Sequence, residues 1–428
     1  MNKILVIGGG GREHAICAAL KKSPKPLTLY CAPGNGGISQ IAECFPSVKA
    51  TDIDGAVDLA KRIGADYVFV APDDPLTLGM VDAMEAAGIK AFGARKNAAV
   101  IEGSKSFSKA LMKKYNIPTA EYAEFDSESI ESALNYIKTQ NKYPAVIKCD
   151  GLALGKGVII AKDFAQAETA VKDILLNGKF GVSGKKIIIE EYMTGPEVTV
   201  LAFSDGQTVV PMVSATDHKR ALDDDKGLNT GGMGAIAPTP YYTKQWENEC
   251  LEKIIRPTIN AMRAEGRAFK GVLYFQIMLT DNGARVIEYN CRFGDPEAQT
   301  VLPLLKTDLF DIMTAVIEER LDGIKIEFSK EYSACVVMAS GGYPENYNTG
   351  FEIKGLEKVS DAIIYSSGTK TRGEELITAG GRVLSVTALG ETLDKAIEKA
   401  YTEIGKISFE GGFYRKDIGK KAQNYVRA

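Results

Sequence analysis

The chain has 428 residues, 45% hydrophobic and 25% charged, the balance of a soluble globular protein long enough for several domains. A net charge of −3 offers no basic excess for a nucleic-acid partner, and no apolar run reaches the ~18 residues that cross a membrane. Seven cysteines lack CxxC or Cys/His zinc spacing and fit reduced thiols in the cytoplasm, and two histidines argue against a His-based triad or multi-His metal centre, so chemistry must rest on Lys, Arg, carboxylates and backbone amides.

Residues 1 to about 93 alternate short apolar strands (3–8, 27–31, 67–71 and 89–93) with helical patterns (13–21, 55–63 and 76–87). This is the pattern of a parallel sheet covered on both faces, with ligands beyond the carboxyl ends of its strands. Lys3 leads straight into the first strand, which is the opening of a domain and not of a signal peptide. Three loops fall at the carboxyl rim: 8–11, 33–37 and 71–75.

The first loop, in KILVIGGGGREH (3–14), looks like a phosphate cradle at a helix N-terminus. It fails the dinucleotide pattern G-x-G-x-x-G, because Glu13 or His14 stands at the third glycine. The second strand ends in Cys31-Ala-Pro, without the acid that would take a ribose. Arg12 beside the glycines favours a single phosphate or small anion.

A helical stretch from about Lys96 carries GSKSFSKALMKKYNIPTAEY, and a smaller α/β unit follows over roughly 120–190. In it VIKCDGLALGKGVII (146–160) is no Walker loop, since Gly157 follows Lys156 where Ser or Thr is required. Lys148 on a strand beside a glycine hairpin can reach phosphates, with the hairpin as a lid. A solvated hairpin would explain the same stretch.

KIIIEEYMTGPEVTV (186–200) sets Glu190, Glu191 and Glu197 around a strand end, where backbone can pair with an adenine edge and a carboxylate can take ribose hydroxyls. An ordinary acidic turn fits it as well. RVIEYNCRFGDPEAQ (285–299) alternates Glu288 and Asn290 on one strand face, with Arg292 next. Two oxygen ligands at that spacing suit Mg2+, and the arginine fork suits a carboxylate or a transferring phosphoryl group. The stretch 271–297 forms a hairpin leading to a loop, and the last hundred residues restart with a strand in 333–344, a hairpin over 375–390 and a helix over 392–404.

Taken together, VIGGGGREH, APGNGG, PLTLGMVD, EGSKSFSK, NIPTAEY, YPAVIKCDGLALGKGV, EEYMTGPEVTVLAFSDG, ATDHKR, NTGGMGA and VIEYNCRFGDPEAQ resemble the ATP-grasp superfamily. Within it they are similar to the glycinamide ribonucleotide synthetases, over essentially the whole chain. The resemblance implies an α/β ATP-grasp fold, α+β in parts. An N-terminal preATP-grasp domain (1–104) would bind phosphoribosylamine, ahead of an ATP-grasp region (105–328, with a lid at about 120–190 and a central part at about 191–328) and a C-terminal domain (329–428).

The same resemblance implies ATP-dependent ligation of glycine to 5-phospho-D-ribosylamine through glycyl phosphate, in purine biosynthesis. The alternative is another ATP-grasp carboxylate–amine ligase or carboxylase. Lys105, Lys148 and Lys156 would meet the nucleotide phosphates, Glu190, Glu191 and Met193 the adenine, and Glu197 the ribose. Glu288 and Asn290 would hold Mg2+ or Mn2+, with Arg292 beside them. The substrate side would be lined by Gly9, Gly10, Gly11, Arg12, Glu13, Asn35, Asp73, Asp217, Lys219, Arg220, Asn229, Gly231, Gly232, Arg292 and Asp295. The implied protein is a cytoplasmic monomer with no nucleic-acid or membrane partner. Three positions depart from the family pattern: Leu228 for a proline, Asp73 for a glutamate, and Gln276 where many relatives carry a metal-binding glutamate.

Overall fold

The computed structural model describes residues 1–151 and 157–427; Lys156 lies outside the described residues. Five parallel strands form the first sheet, in the order Glu43–Cys44, Leu27–Pro33, Asn2–Gly8, Tyr67–Val70, Lys90–Phe92. Ile4 to Ile7 are completely buried there, as expected of a central strand covered on both faces. The helix expected at 76–87 is instead two, Asp73–Leu78 and Met80–Ala86, parted at Gly79. Gly79 has φ 101°, a left-handed conformation that breaks the helix and costs glycine little. The first of the two helices thereby begins at Asp73, on the carboxyl rim of the sheet.

A four-stranded antiparallel sheet follows, ordered Tyr122–Asp126, Lys186–Glu191, Ala145–Cys149, Val158–Ala161. The helices Ile130–Gln140 and Phe164–Leu175 bury their apolar stripes against it. Its core draws only on residues between 125 and 189, so this unit stands on a core of its own. The central sheet is different. Its strands Val209–Pro211, Glu197–Asp205, Lys270–Thr280 and Gly283–Asn290 share two hydrophobic clusters with the first sheet. The long hairpin read at 271–297 is the last pair of these strands.

The C-terminal sheet runs Thr216–Asp217, Gly234–Ala237, Tyr332–Ala339, Arg382–Gly390, Ile363–Ser366. The hairpin expected over 375–390 does not form. Glu375–Thr378 pairs with Thr369–Arg372, while Arg382–Gly390 enters the main sheet. Gly368 bonds both flanks of the intended turn, accepting from Ala379 N–H and donating to Arg382 C=O, so the two runs part. The closing helix, Leu393–Ile404, is capped by Thr392, whose hydroxyl accepts from Lys395 N–H. Among the described residues no helix is long and apolar enough to cross a membrane.

Both histidines lie at the seam with the C-terminal part of the chain. Ser366 N–H donates to His14 Nδ1 at 2.9 Å, and Gly419 N–H donates to His218 Nε2 at 3.0 Å. Each ring must be neutral at the accepting nitrogen, and burial pushes each pKa down to about 4. An unfolded histidine protonates near 6.5, so the unfolded chain binds more protons between these values. The stability contributed by the two rings is therefore present above about pH 6.5 and lost as pH falls toward about 4. Urea midpoints measured across that window should fall more steeply for the native chain than for a His14→Asn/His218→Gln double variant; parallel curves would contradict the neutral-acceptor account.

Candidate active site

The Gly283–Asn290 strand sets Glu288 opposite Gln276, which in turn faces Thr199 across the central sheet. Burial alone would raise the Glu288 carboxyl, but Lys148, Lys219, Lys105 and Arg292 together hold it below the usual carboxylate range. These four cations come from four separate segments. Lys148 sits on the Ala145–Cys149 strand, only 4% exposed, with Nζ 3.0 Å from Glu190 Oε2. Lys109, an unanticipated member of the cluster, lies 3.2 Å from the other Glu190 oxygen.

Lys105 opens the Lys105–Lys114 helix, which is capped by Ser104. The Asp150 carboxylate accepts from the Ser104 hydroxyl at 3.1 Å and from Ser106 N–H at 2.6 Å, fixing the helix start beside the strand that carries Lys148. Lys105 Nζ donates to Gly151 C=O at 3.2 Å.

Arg292 lies just past the strand end, in the loop, yet stays with the residues before it. Its Nη2 is 3.3 Å from Asn290 Oδ1, 2.9 Å from Glu102 Oε1 and 3.7 Å from Asp73 Oδ2. Glu102 is buried and also accepts from Cys291 N–H at 2.7 Å. Burial raises its carboxyl while Arg292 opposes the rise. The carboxyl of Asp73 would likewise be raised by burial, but Arg292 and Arg12 bring it below the usual range.

Glu197 accepts from Gln276 Nε2 at 2.6 Å and faces Lys219 Nζ at 3.4 Å. The amide nitrogen of Gln276 thus serves Glu197. Burial pushes the neighbouring Asp217 carboxyl up to about 7, with Lys219 opposing and Glu297 and Glu197 adding to the rise. Glu191 spends its carboxylate on Arg285 at 2.7 Å and on Glu121 N–H at 3.0 Å. Just beyond it, neither the N–H nor the C=O of Met193 has a hydrogen-bond partner among the described residues.

At the first sheet's rim the glycine loop packs closely. A Cβ on Gly9 would stand 2.5 Å from Gly34 C=O, which excludes any side chain. The chain's own carboxylates occupy two loop donors: Gly10 N–H bonds Glu13 Oε2 at 2.6 Å, and Arg12 N–H bonds Asp295 Oδ2 at 3.3 Å. The Arg12 guanidinium bonds Glu13 Oε1 and Phe293 C=O, both at 2.8 Å. Asn35 clasps the loop through Gly9 C=O and reaches Ser366 C=O, each at 2.9 Å. Arg382 Nη1 stands 3.2 Å from both Asp295 Oδ1 and Gly232 C=O. Gly231 N–H meets Tyr343 OH at 3.3 Å.

Two expected residues stand apart. Arg220 and Asn229 face each other across a separate two-stranded hairpin, where the Arg220 guanidinium bonds Gly227 C=O and Asn229 is exposed. Three residues were missed: Lys109, Glu102 and Arg382. Lys109 follows Lys105 by one turn of the same helix and was readable as its face-sharing neighbour, whereas Glu102 lies at the end of the preceding helix, Lys96–Gly103, beyond the break at Ser104. The approach of Arg382 to Asp295 across 87 positions left no local signal.

Models of the phosphoribosylglycinamide synthetase N domain, ATP-grasp (A) domain and C domain match residues 2–102, 103–298 and 333–421. The chain belongs to the phosphoribosylglycinamide synthetase family. It is 47% identical over 416 residues to the phosphoribosylamine–glycine ligase of Caldanaerobacter subterraneus subsp. tengcongensis, covering 97% of this chain and 99% of that one. The crystal structure of phosphoribosylamine–glycine ligase from Thermotoga maritima superposes with a TM-score of 0.83 at 30% identity, covering 97% of this chain and all of that one. The biotin carboxylase domain of Hydrogenobacter thermophilus 2-oxoglutarate carboxylase, in complex with MgADP, ADP and bicarbonate, has a TM-score of 0.72 at 15% identity, covering 96% and 91% of the two chains. That last likeness is one of fold alone.

The enzyme is an ATP-dependent ligase with a multidomain ATP-grasp fold. It joins glycine to 5-phospho-D-ribosylamine, giving glycinamide ribonucleotide in purine biosynthesis. Its buried Glu102–Arg292 pair is worth testing directly. Glu102→Ala should cost about 3 kcal/mol of stability, the low end for breaking a buried pair because Asp73 remains near the arginine; urea unfolding measures it, and a loss below about 1 kcal/mol would contradict the pairing.

Proposed function

We propose that the γ-phosphoryl group of ATP passes to the carboxylate of glycine, and that the amine of phosphoribosylamine then attacks the resulting glycyl phosphate. A carboxylate resists the amine because oxide does not leave, whereas an acyl phosphate releases phosphate. The observation that carries this reading is the convergence of Lys105, Lys148, Lys219 and Arg292 around Glu288. Cations gathered in this way can counter the charge on a transferring phosphoryl group.

In this reading Lys105 and Lys148, with Lys156, bind the nucleotide phosphates, and Arg292, steadied by Glu102, grips the transferring group. The open backbone of Met193, next to Glu190 and Glu191, takes the adenine edge, and Glu197 takes the ribose hydroxyls. The ionised Glu288 carboxylate and the Asn290 amide oxygen fit a hard divalent cation, either Mg2+ or Mn2+. Among the described residues no group of three His, Cys, Asp or Glu could hold a metal unaided, so phosphate oxygens would complete its shell. When bound, the ion neutralises and orients those oxygens.

We assign residues 1–104 to phosphoribosylamine, 105–328 to nucleotide and glycine, and 329–428 to closing the phosphoribosylamine side through Arg382. Gly9 to Gly11, Arg12, Glu13, Asn35, Asp73, Asp217, Lys219, Gly231, Gly232 and Asp295 line the substrate side, with Arg220 and Asn229 at its edge. The 5′-phosphate lies at Gly9 to Arg12, and it reaches Gly10 N–H only when Glu13 gives that donor up. The unit at about 120–190, with its separate core, closes over the acyl phosphate and excludes water. The seven free cysteines fit a cytoplasmic enzyme.

Glu288→Gln and Arg292→Lys should each lower kcat by about 10²-fold or more with circular dichroism unchanged, and near-normal turnover in either would overturn the site. Arg12→Ala should raise KM for phosphoribosylamine about tenfold while leaving KM for ATP within about twofold. Equal losses for both ligands would return the glycine loop to the nucleotide.

A further inference from the structure

We propose that Lys109 is a positioning residue for ATP: by sharing the Glu190 carboxylate it keeps the Lys148 ammonium available to the nucleotide phosphates. This rests on the reading of Lys148 as a phosphate contact.

Lys105 and Lys109 leave the same face of the Lys105–Lys114 helix, one turn apart. Their ends differ. Lys105 reaches Gly151 at the rim of the site, whereas Lys109 is 2% exposed. The Lys109 ammonium meets only the protein: Nζ donates to Thr119 Oγ1 at 2.8 Å, stands 3.2 Å from Glu190 Oε1 and lies 5.6 Å from the centre of the Tyr122 ring. Buried in this way it acts through its neighbours. Burying an ammonium is costly, and burial pulls its pKa down to about 8.

Glu190 lies between the two lysines, one carboxylate oxygen toward each. With Lys148 alone it would form a closed neutral pair, and a triphosphate would compete with Glu190 for that ammonium. Two lysines on one carboxylate leave a net positive charge. The other contact of Lys148, to Ile287 C=O, is long at 3.4 Å and easily exchanged for a phosphate oxygen. The Lys109–Glu190 contact is an ion pair without hydrogen-bond alignment, since Glu190 Oε1 accepts no hydrogen bond. Charge, and not bond direction, therefore holds that end of the carboxylate. Thr119 Oγ1 passes the connection on to Val286 C=O at 2.7 Å, two residues before Glu288 on its strand. Removing Lys109 leaves Glu190 paired with Lys148, not bare, so the fold survives the loss.

The test uses the full chain. Lys109→Met should raise both KM for ATP and the dissociation constant of ATP in equilibrium titration about tenfold, with KM for glycine and phosphoribosylamine within about twofold. Lys109→Gln should give the same shift and serves if the methionine variant does not fold. In a Glu190→Gln background the effect should shrink to less than about threefold, because no carboxylate remains to compete for Lys148. The same loss in both backgrounds, or a common rise in all three KM values, overturns the proposal in favour of a structural lysine. Lys148→Met separates the two levels. Unchanged ATP binding in that variant removes the reading of Lys148 and this inference with it; weakened ATP binding there, with none in Lys109→Met, removes the inference alone.

Discussion

Four cations from four separate stretches of chain act on one carboxylate, Glu288, in a partly buried site. Like charges held together where water is limited repel, and much of the surrounding structure offsets that repulsion. Glu190 stands between Lys148 and Lys109, Glu197 faces Lys219, and Glu102 with Asp73 flanks Arg292. With Lys105 added, five cations meet five carboxylates, Glu102, Asp73, Glu190, Glu197 and Glu288, so the cluster is held together by balanced charge. The balance is uneven within it: two ammoniums share Glu190, while two carboxylates flank Arg292.

The fold divides the work between fixed and separable parts. The central sheet, which carries Glu197, Gln276, Glu288 and Asn290, shares its core with the first sheet, so the glycine loop and the Glu288 strand keep one geometry. The unit carrying Lys148 and Glu190 has its own core. It meets the rest through polar contacts such as Asp150 with Ser104 and Ser106. Contacts of that kind break and reform at small cost compared with an apolar core. The C-terminal sheet closes the other side, through Ser366 on His14 and Arg382 on Asp295.

The sequence was most legible where chemistry and backbone demand coincide in a short stretch. Short apolar runs alternating with helical patterns marked the first sheet, and the alternation of Glu288 and Asn290 marked a polar strand face that the structure retains. Helix continuity across Gly79 and the hairpin at 375–390 were misread. One turned on a single backbone angle and the other on bonds from Gly368 to both flanks of the turn. Lys109 and Glu102 sit beside Lys105 in sequence, yet their importance comes from partners far along the chain, Glu190 and Arg292. The glycine loop was read as a cradle for a phosphate or small anion. Its donors at Gly10 and Arg12 hold Glu13, three residues from Gly10, and Asp295, 283 positions from Arg12; only the second was out of reach of a local reading.

The central claim is that the cations around Glu288 serve phosphoryl transfer to glycine. Its most direct measurement follows the oxygen atoms. Glycine carrying heavy oxygen in its carboxylate is supplied with phosphoribosylamine and ATP with a divalent cation, and the released phosphate is analysed by mass. Transfer through glycyl phosphate places one carboxylate oxygen in that phosphate, so labelled phosphate is the predicted result. Unlabelled phosphate formed along with glycinamide ribonucleotide would contradict the account.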